Sequence, residues 1–166
     1  MEKKQAEELK EKLFHKKENG WNAKTPEEKQ AIFDYAKGYM NYMNQSKTER
    51  EIIINSKKIA EENGFEDIEN CKSLKPGDKV YYNNRGKSMY LAIIGTKPIE
   101  EGVNIIGSHA DSPRLDLKPN PLYEDSEFAY FKTHYYGGIK KYQWTAIPLA
   151  IHGVIVKTNG ETISIN

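Results

Sequence analysis

The spacing of apolar residues predicts helices in the first third of the chain. Residues 2–18 are rich in Glu, Lys, Gln and Leu with one narrow apolar stripe, which predicts a charged, solvated helix. Residues 25–28, Thr-Pro-Glu-Glu, form a capping box that predicts the start of a second helix. A third helix is predicted over residues 48–62, ended by the Asn-Gly pair at 63–64. We expect the core face of the second helix to carry Ile32, Phe33, Ala36, Tyr39, Met40 and Met43.

From residue 74 onward the pattern is typical of short strands joined by turns. Residues 80–82 and 88–94 predict two strands connected by a hairpin at residues 83–86. The β-branched run at residues 103–107 predicts a buried strand. Further strands are expected around residues 115–117, 128–135, 145–156 and 162–165. The order of elements is therefore helices followed by strands.

A proline-rich stretch at residues 118–121, Lys-Pro-Asn-Pro, separates two parts of the strand-rich region. Proline restricts its own backbone and that of the preceding residue, which suits a connector. We therefore predict a boundary between two structural parts at this stretch.

Composition narrows the possible partners and compartment. The 166 residues carry 25 Lys and Arg against 24 Asp and Glu, so no basic field marks a nucleic-acid-binding protein. No apolar run approaches the ~20 residues of a membrane span, and residues 1–8 lack the apolar core of a secretory signal. The single cysteine, Cys71, cannot form an internal disulfide. We expect a cytoplasmic protein that binds neither nucleic acid nor membrane.

The candidate chemistry lies where the predicted strand at residues 103–107 ends. His109 and Asp111 follow it two positions apart, which places both side chains on the same side of an extended backbone. Imidazole is a good zinc ligand through one nitrogen, and a carboxylate can hold the other. A histidine and an aspartate satisfied by turn hydrogen bonds around Ser112 and Pro113 fit the same residues, so the pair alone leaves both interpretations open.

The wider context resembles the aspartyl aminopeptidase family of co-catalytic zinc exopeptidases. The resemblance is carried by a His-x-Asp-Ser-Pro string at residues 109–113, a Leu-x-Leu-Lys-Pro string at 115–119, and a Tyr-Gly-Gly string at 136–138 followed by Trp144. The resemblance covers essentially the whole chain.

The resemblance implies an α/β fold class: amino-terminal helices and a mixed sheet form a zinc peptidase domain, which is interrupted by an inserted β-rich domain. Residues 1–119 would be the amino-terminal portion of the peptidase domain, and residues 120–166 the start of the insertion. His109 matches the family's first zinc ligand and Asp111 the catalytic-site aspartate that supports it. The implied cofactor is zinc, with two ions in the complete enzyme. The implied substrates are peptides, and the implied assembly is a homo-oligomer.

The remaining zinc ligands of the family have no counterpart in these 166 residues. A catalytic zinc takes about three protein ligands, and a two-metal site takes more. We therefore expect an amino-terminal fragment of a zinc aminopeptidase that is inactive alone. A non-catalytic interaction or oligomerisation module derived from the same family is the alternative, and another zinc hydrolase with a His-x-Asp strand end is a third interpretation.

Overall fold

Helices occupy most of the first 62 positions of the chain. The computed structural model describes residues 2–15 and 17–166. Helix α1 spans Glu2–Leu13, α2 spans Pro26–Gln45 and α3 spans Glu49–Glu62. The chain divides into two compact units, at the step from residue 41 to residue 42.

In the first unit, the start of α2 agrees with the predicted capping box. The backbone N–H of Glu28 donates to Oγ1 of Thr25 at 3.3 Å, and the Glu28 carboxylate accepts from the Thr25 N–H at 2.9 Å. Helix α1 is shorter than predicted, since it ends at Leu13 instead of residue 18; position 16 of that predicted helix lies outside the described residues.

The predicted core face of α2 is not buried. Ile32, Phe33, Tyr39 and Met40 are between 44% and 61% exposed, and Ala36 and Met43 are intermediate. The helical period was therefore right and the predicted burial wrong. Periodicity aligns apolar residues on one face, but the element that covers the face has to come from elsewhere.

In the second unit, both ends of α3 are capped. Thr48 and Glu51 form a reciprocal capping box, in which the Glu51 N–H donates to Thr48 Oγ1 at 3.3 Å and the Thr48 N–H donates to the Glu51 carboxylate at 3.0 Å. Asn63 is the C-cap, and Gly64 follows at φ 78°, a left-handed conformation that glycine adopts without a Cβ clash. The predicted third helix is confirmed.

A three-stranded sheet follows α3. Strand β1 (Glu66–Asp67) runs parallel to β2 (Lys79–Asn84), which pairs antiparallel with β3 (Ser88–Ile93). The hairpin between β2 and β3 turns through Arg85 at φ 58° and Gly86 at φ 68°. Two successive positive φ angles match the right-handed twist of the strands, so this predicted hairpin is also confirmed.

The buried core of the described chain lies between α3 and β2. Ile53 and Ala60 of α3 and Val80 and Tyr81 of β2 are each 3% exposed. The Tyr81 hydroxyl donates to Oε1 of Glu61 at 2.8 Å, which satisfies its polar end. Burial of these side chains on one another is the main apolar stabilisation in residues 42–166.

A long hairpin occupies the region where a connector was predicted. Strand β4 (Arg114–Asp125) pairs antiparallel with β5 (Phe128–Tyr136). The pairing register shifts between Leu117 and Leu122, so the proline-rich stretch forms the irregular middle of one strand and not a connector. Proline cannot donate to a strand ladder, which explains the irregularity there. The division into two domains at 119/120 stays a prediction.

The rest of the second unit consists of short elements. The described chain also contains helix α4 (Lys141–Trp144), a hairpin of β6 (Gly153–Val156) with β7 (Thr162–Ile165), and 3₁₀ turns at Ile68–Asn70 and Ile99–Glu101. The strand predicted over residues 145–156 begins only at Gly153. The mixed α/β architecture is confirmed. None of the helices in the described residues has the length and apolar character of a membrane span.

The run at residues 103–107 is not a strand. It has no ladder partner among the described residues, and Ile105 and Ile106 are 83% and 99% exposed. The prediction of a buried strand was therefore wrong for this chain. A β-branched run favours extended backbone, but a strand forms only where a neighbouring strand accepts its N–H and C=O groups.

Candidate functional site

His109 and Asp111, the predicted pair, are in direct contact. Nδ1 of His109 lies 2.7 Å from Oδ1 of Asp111 and 2.9 Å from its carbonyl oxygen. Both oxygens can only accept when the carboxylate is ionised, so Nδ1 carries the proton and donates. In the neutral ring the lone pair is then on Nε2. The side chain of His109 is 82% exposed, so its orientation depends on Asp111 and not on packing.

The second carboxylate oxygen of Asp111 has its own donor. The hydroxyl of Tyr136, the last residue of β5, donates to Oδ2 of Asp111. This hydrogen bond, followed by the one from His109, holds the pKa of Asp111 below its ordinary value. The same bond raises the pKa of Tyr136, because losing the hydroxyl proton would set two anions against each other. Asp111 is therefore ionised and Tyr136 protonated at neutral pH.

Arg114, the first residue of β4, fixes the ring of Tyr136. Its guanidinium carbon lies 4.2 Å from the ring centroid, a cation–π geometry. Nε of Arg114 donates to Asp116 at 2.6 Å and Nη2 to Glu49 at 3.4 Å. The two strand ends that carry Arg114 and Tyr136 face each other in the β4–β5 ladder. Arginine is suited to this role because its planar head can stack and form ion pairs at once.

The N-terminal turn of α3 and the residue before its N-cap form hydrogen bonds with segments that are far away in sequence. Ser112 donates to the carbonyl of Lys47 at 3.1 Å, and His152 contacts Oε1 of Glu51 at 2.9 Å. Burial alone would raise the pKa of Glu51, but the hydrogen bond from His152 and those from the N–H groups of Lys47 and Thr48 outweigh it and lower the pKa. One helix end thereby holds the site segment and the loop before β6.

A glycine brings β5 close to the site segment. Gly137 has φ 72°, and a Cβ built on it would lie 3.4 Å from Cα of Pro113. Any other residue would be strained by the positive φ, while its Cβ would be in van der Waals contact with Pro113. The approach lets Tyr136 reach Asp111, two positions before that proline.

Sequence reasoning identified His109 and Asp111 but missed the residues around them. Tyr136 begins one of the strings that carried the family resemblance, and Arg114 lies between the other two, so the resemblance was the available signal. The bond from Tyr136 to Asp111 and the stacking of Arg114 on Tyr136 depend on strand register, which the strings do not encode. The prediction that His152 lies in a strand was wrong, since it precedes β6 in a loop and contacts Glu51.

The described residues fit one zinc ligand and not a complete set. An exposed imidazole with Nδ1 bound to a carboxylate and Nε2 open is the arrangement that metal-bound histidines adopt. No group of three or more His, Cys, Asp or Glu side chains in the described part of the chain could hold a metal ion. A catalytic zinc site needs about three protein ligands.

Comparisons with known proteins agree with this chemistry. Residues 42–166 match the family model described as aminopeptidase I zinc metalloprotease, M18. The chain is 50% identical over 151 residues to a probable M18 family aminopeptidase 1 of Borrelia garinii, covering 91% of this chain and 33% of the relative. It is 46% identical over 157 residues to the Clostridium acetobutylicum counterpart, covering 92% of this chain and 34% of the relative.

A solved structure is also similar to nearly all of this chain and to about a third of its own length. The crystal structure of aminopeptidase I from Borrelia burgdorferi superposes with a TM-score of 0.85 at 48% identity, covering 90% of this chain and 37% of the other. The chain thus spans about a third of the length of the relatives it matches. On the match over residues 42–166, the chain belongs to the M18 family of aminopeptidase I zinc metalloproteases.

Proposed function

We propose that this chain is part of a zinc-dependent aminopeptidase that removes amino-terminal residues from peptides, with His109 as a zinc ligand through Nε2. The observation that carries the proposal is the contact of His109 Nδ1 with Asp111 at 2.7 Å, which leaves Nε2 open to solvent, in a chain of a zinc metalloprotease family. Zinc at that nitrogen would supply Lewis-acid chemistry, polarising a carbonyl and acidifying water.

The roles of the chain's own residues follow from their contacts. Asp111 accepts the Nδ1 proton of His109, which fixes the tautomer and the direction of Nε2 and makes that nitrogen more basic. Asp111 is not placed to coordinate zinc with the same oxygens, because Oδ1 and Oδ2 already accept from His109 and Tyr136. We assign Asp111 to orienting the ligand.

The other ligands and the general base are proposed to lie outside these 166 residues. The relatives are about three times as long as the matched region, which leaves ample chain for them. We propose two zinc ions in the complete site, peptide substrates and a cytoplasmic location, the last supported by a single cysteine. The 166-residue chain alone is expected to bind zinc weakly and to hydrolyse no peptide.

A non-catalytic interaction module remains the second candidate, and one observation favours it. The β4–β5 hairpin exposes a set of large apolar and aromatic side chains: Leu122, Tyr123, Phe128, Tyr130 and Phe131. Exposed patches of this kind are typical of interfaces. Self-association through such residues is compatible with catalysis, so we propose a homo-oligomer within the enzyme; the module hypothesis differs by predicting assembly without hydrolysis.

The test compares the complete protein that contains this chain with its His109→Ala variant. Zinc content and the release of a chromophore from an aminoacyl anilide are measured on both. We expect the variant to lose at least ~100-fold in the rate of hydrolysis. Removing a group that only hydrogen-bonds to a metal ligand costs less, ~10–100-fold. His15→Ala is the matched control, because this exposed histidine lies just after α1, and it should match the wild type.

Two outcomes would contradict the proposal. Hydrolysis that needs no zinc, or that survives His109→Ala, excludes His109 as a required ligand. A zinc-supplied protein that assembles and cleaves no aminoacyl substrate supports the interaction module instead.

A further inference from the structure

Tyr136 is placed to control how Asp111 holds His109. Asp111 divides its two carboxylate oxygens between two donors, with Oδ1 accepting from Nδ1 of His109 and Oδ2 from the hydroxyl of Tyr136. Two donors on opposite oxygens define the plane of the carboxylate, whereas one donor leaves it free to rotate. Tyr136 therefore helps to fix the carboxylate that, together with the Asp111 carbonyl oxygen 2.9 Å from Nδ1, orients the His109 ring.

The phenol itself is held from three sides. The guanidinium of Arg114 covers its ring at 4.2 Å, and ion pairs to Asp116 and Glu49 restrain that guanidinium. The backbone beyond it turns at Gly137 against Pro113. Strand pairing places Tyr136 opposite Arg114. A side chain fixed in this way transmits its position to the group it bonds.

The packing around His109 does not provide an alternative restraint. Its side chain is largely exposed, and its hydrogen bonds in the structure are to Asp111. Among the contacts described above, those that reach the imidazole are made by Asp111. Tyr136 is the residue of the β4–β5 hairpin that bonds Asp111.

We propose that Tyr136 is a positioning residue of the zinc site, acting through the Asp111 carboxylate to preset the direction of Nε2 of His109. The proposal rests on His109 being a zinc ligand, as stated under the proposed function. It assigns to the β4–β5 hairpin a part in metal binding, in addition to any part in assembly. Tyr136 is not a catalytic residue in this scheme, since it is two contacts away from the metal.

The experiment uses Tyr136→Phe in the complete protein, which removes one oxygen and keeps the ring under Arg114. Tyr135→Phe is the matched control, because the neighbouring tyrosine stacks on His134 and makes no contact with Asp111. Zinc affinity is measured by competition with a chromogenic chelator. We expect Tyr136→Phe to weaken zinc binding about threefold to tenfold, less than the ~10–100-fold for a direct partner of the ligand, and Tyr135→Phe to stay within about twofold of wild type.

A second measurement needs no metal. In metal-free protein, ¹⁵N NMR of the His109 ring reports which nitrogen carries the proton. We expect the Nδ1–H tautomer to dominate in the wild type and in Tyr135→Phe, and to lose population in Tyr136→Phe. A purely structural role would lower the melting temperature and leave the tautomer and the zinc affinity unchanged.

The failure of this inference and of the proposed function give different results. If His109→Ala abolishes zinc binding while Tyr136→Phe alters neither affinity nor tautomer, the positioning role is wrong and the function stands. If the wild type binds zinc independently of His109, the proposed function fails, and the inferred role in the zinc site fails with it, whatever the tautomer.

Discussion

The region from α3 to β3 and the region from His109 to Tyr136 are held together by different interactions. In the first, Ile53, Ala60, Val80 and Tyr81 are almost fully buried. In the second, the apolar side chains are partly or largely exposed. Order comes from the hydrogen bonds of Asp111 with His109 and Tyr136 and from the ion pairs and cation–π contact of Arg114. Local geometry at the site is thus set by polar contacts and does not require burial.

The two regions share the N-terminal turn of α3. Its inner face belongs to the buried core through Ile53, while Lys47, Glu49 and Glu51 reach Ser112, Arg114 and His152. Polar contacts that are partly exposed contribute little each, so a stable platform is needed to give them a fixed direction. The packed region provides that platform, and the site segment uses it.

The largest expected effect is the loss of stability when a buried side chain of α3, in the first region, is removed. Ile53→Ala removes a side chain that is 3% exposed, and we expect it to lower the free energy of unfolding by about 2–5 kcal/mol. Its neighbour Ile54 is 63% exposed, so Ile54→Ala should change stability by at most about 0.5 kcal/mol. Urea denaturation followed by circular dichroism measures both. Equal losses in the two variants would show that α3 is packed on both faces in solution.

An intermediate effect is expected at the glycine beside the site. Gly137→Ala places a Cβ 3.4 Å from Pro113 at φ 72°, which should cost about 1–2 kcal/mol. Gly138 has open space around it and no positive φ, so Gly138→Ala is the control and should cost less than half as much. Thermal denaturation compares them. If Gly138→Ala is the more damaging change, the left-handed backbone at Gly137 is not what restricts this turn.

The smallest expected effect is the pH-dependent stabilisation by Glu51, in the N-terminal turn of α3 that both regions share. The pKa of Glu51 is lowered from 4.5, so its ionised form stabilises the fold above that pH, and the stabilisation is lost as pH falls through the folded-state pKa. Glu51→Gln removes the charge at the helix N-terminus and should cost about 0.5–1 kcal/mol at pH 7. The difference between wild type and variant, measured by urea denaturation from pH 7 to pH 3, should shrink below pH 4.5. A difference that is constant over this range would assign the effect to packing.

Local signals predicted the elements of this chain well, and tertiary contacts less well. The capping box at residues 25–28, the stop at Gly64 and the β2–β3 hairpin each depend on a few adjacent residues, which is why local sequence was enough to predict them. The burial of Ile32 or Ile106 depends on an element that covers it, and apolar spacing does not specify one. The restricted backbone of the proline-rich stretch predicts a connector, whereas the long hairpin accommodates these prolines by a register shift.

The sequence predicted part of the candidate site, the pair His109 and Asp111, and missed the residues that surround this pair. The spacing of His109 and Asp111 indicated a contact between them as one of two open interpretations, and the structure has that contact at 2.7 Å. Tyr136 and Arg114 are 25 and 3 positions away from Asp111 in sequence, and their approach depends on the register of β4 with β5 and on the turn at Gly137. The register between two strands depends on how they pair in the folded chain, so it could not be predicted from individual residues.

The uncovered run at residues 103–107 has a consequence for how this polypeptide behaves in concentrated samples. It combines β-branched side chains with backbone groups that no strand of the described chain engages, which makes it a template for cross-molecular strand addition and aggregation. Glu100 and Glu101 precede it, separated from it by Gly102, and although Glu101 pairs with Lys97 their charges oppose such addition. Their repulsion between copies is screened by salt, so low ionic strength and dilute protein favour the monodisperse form.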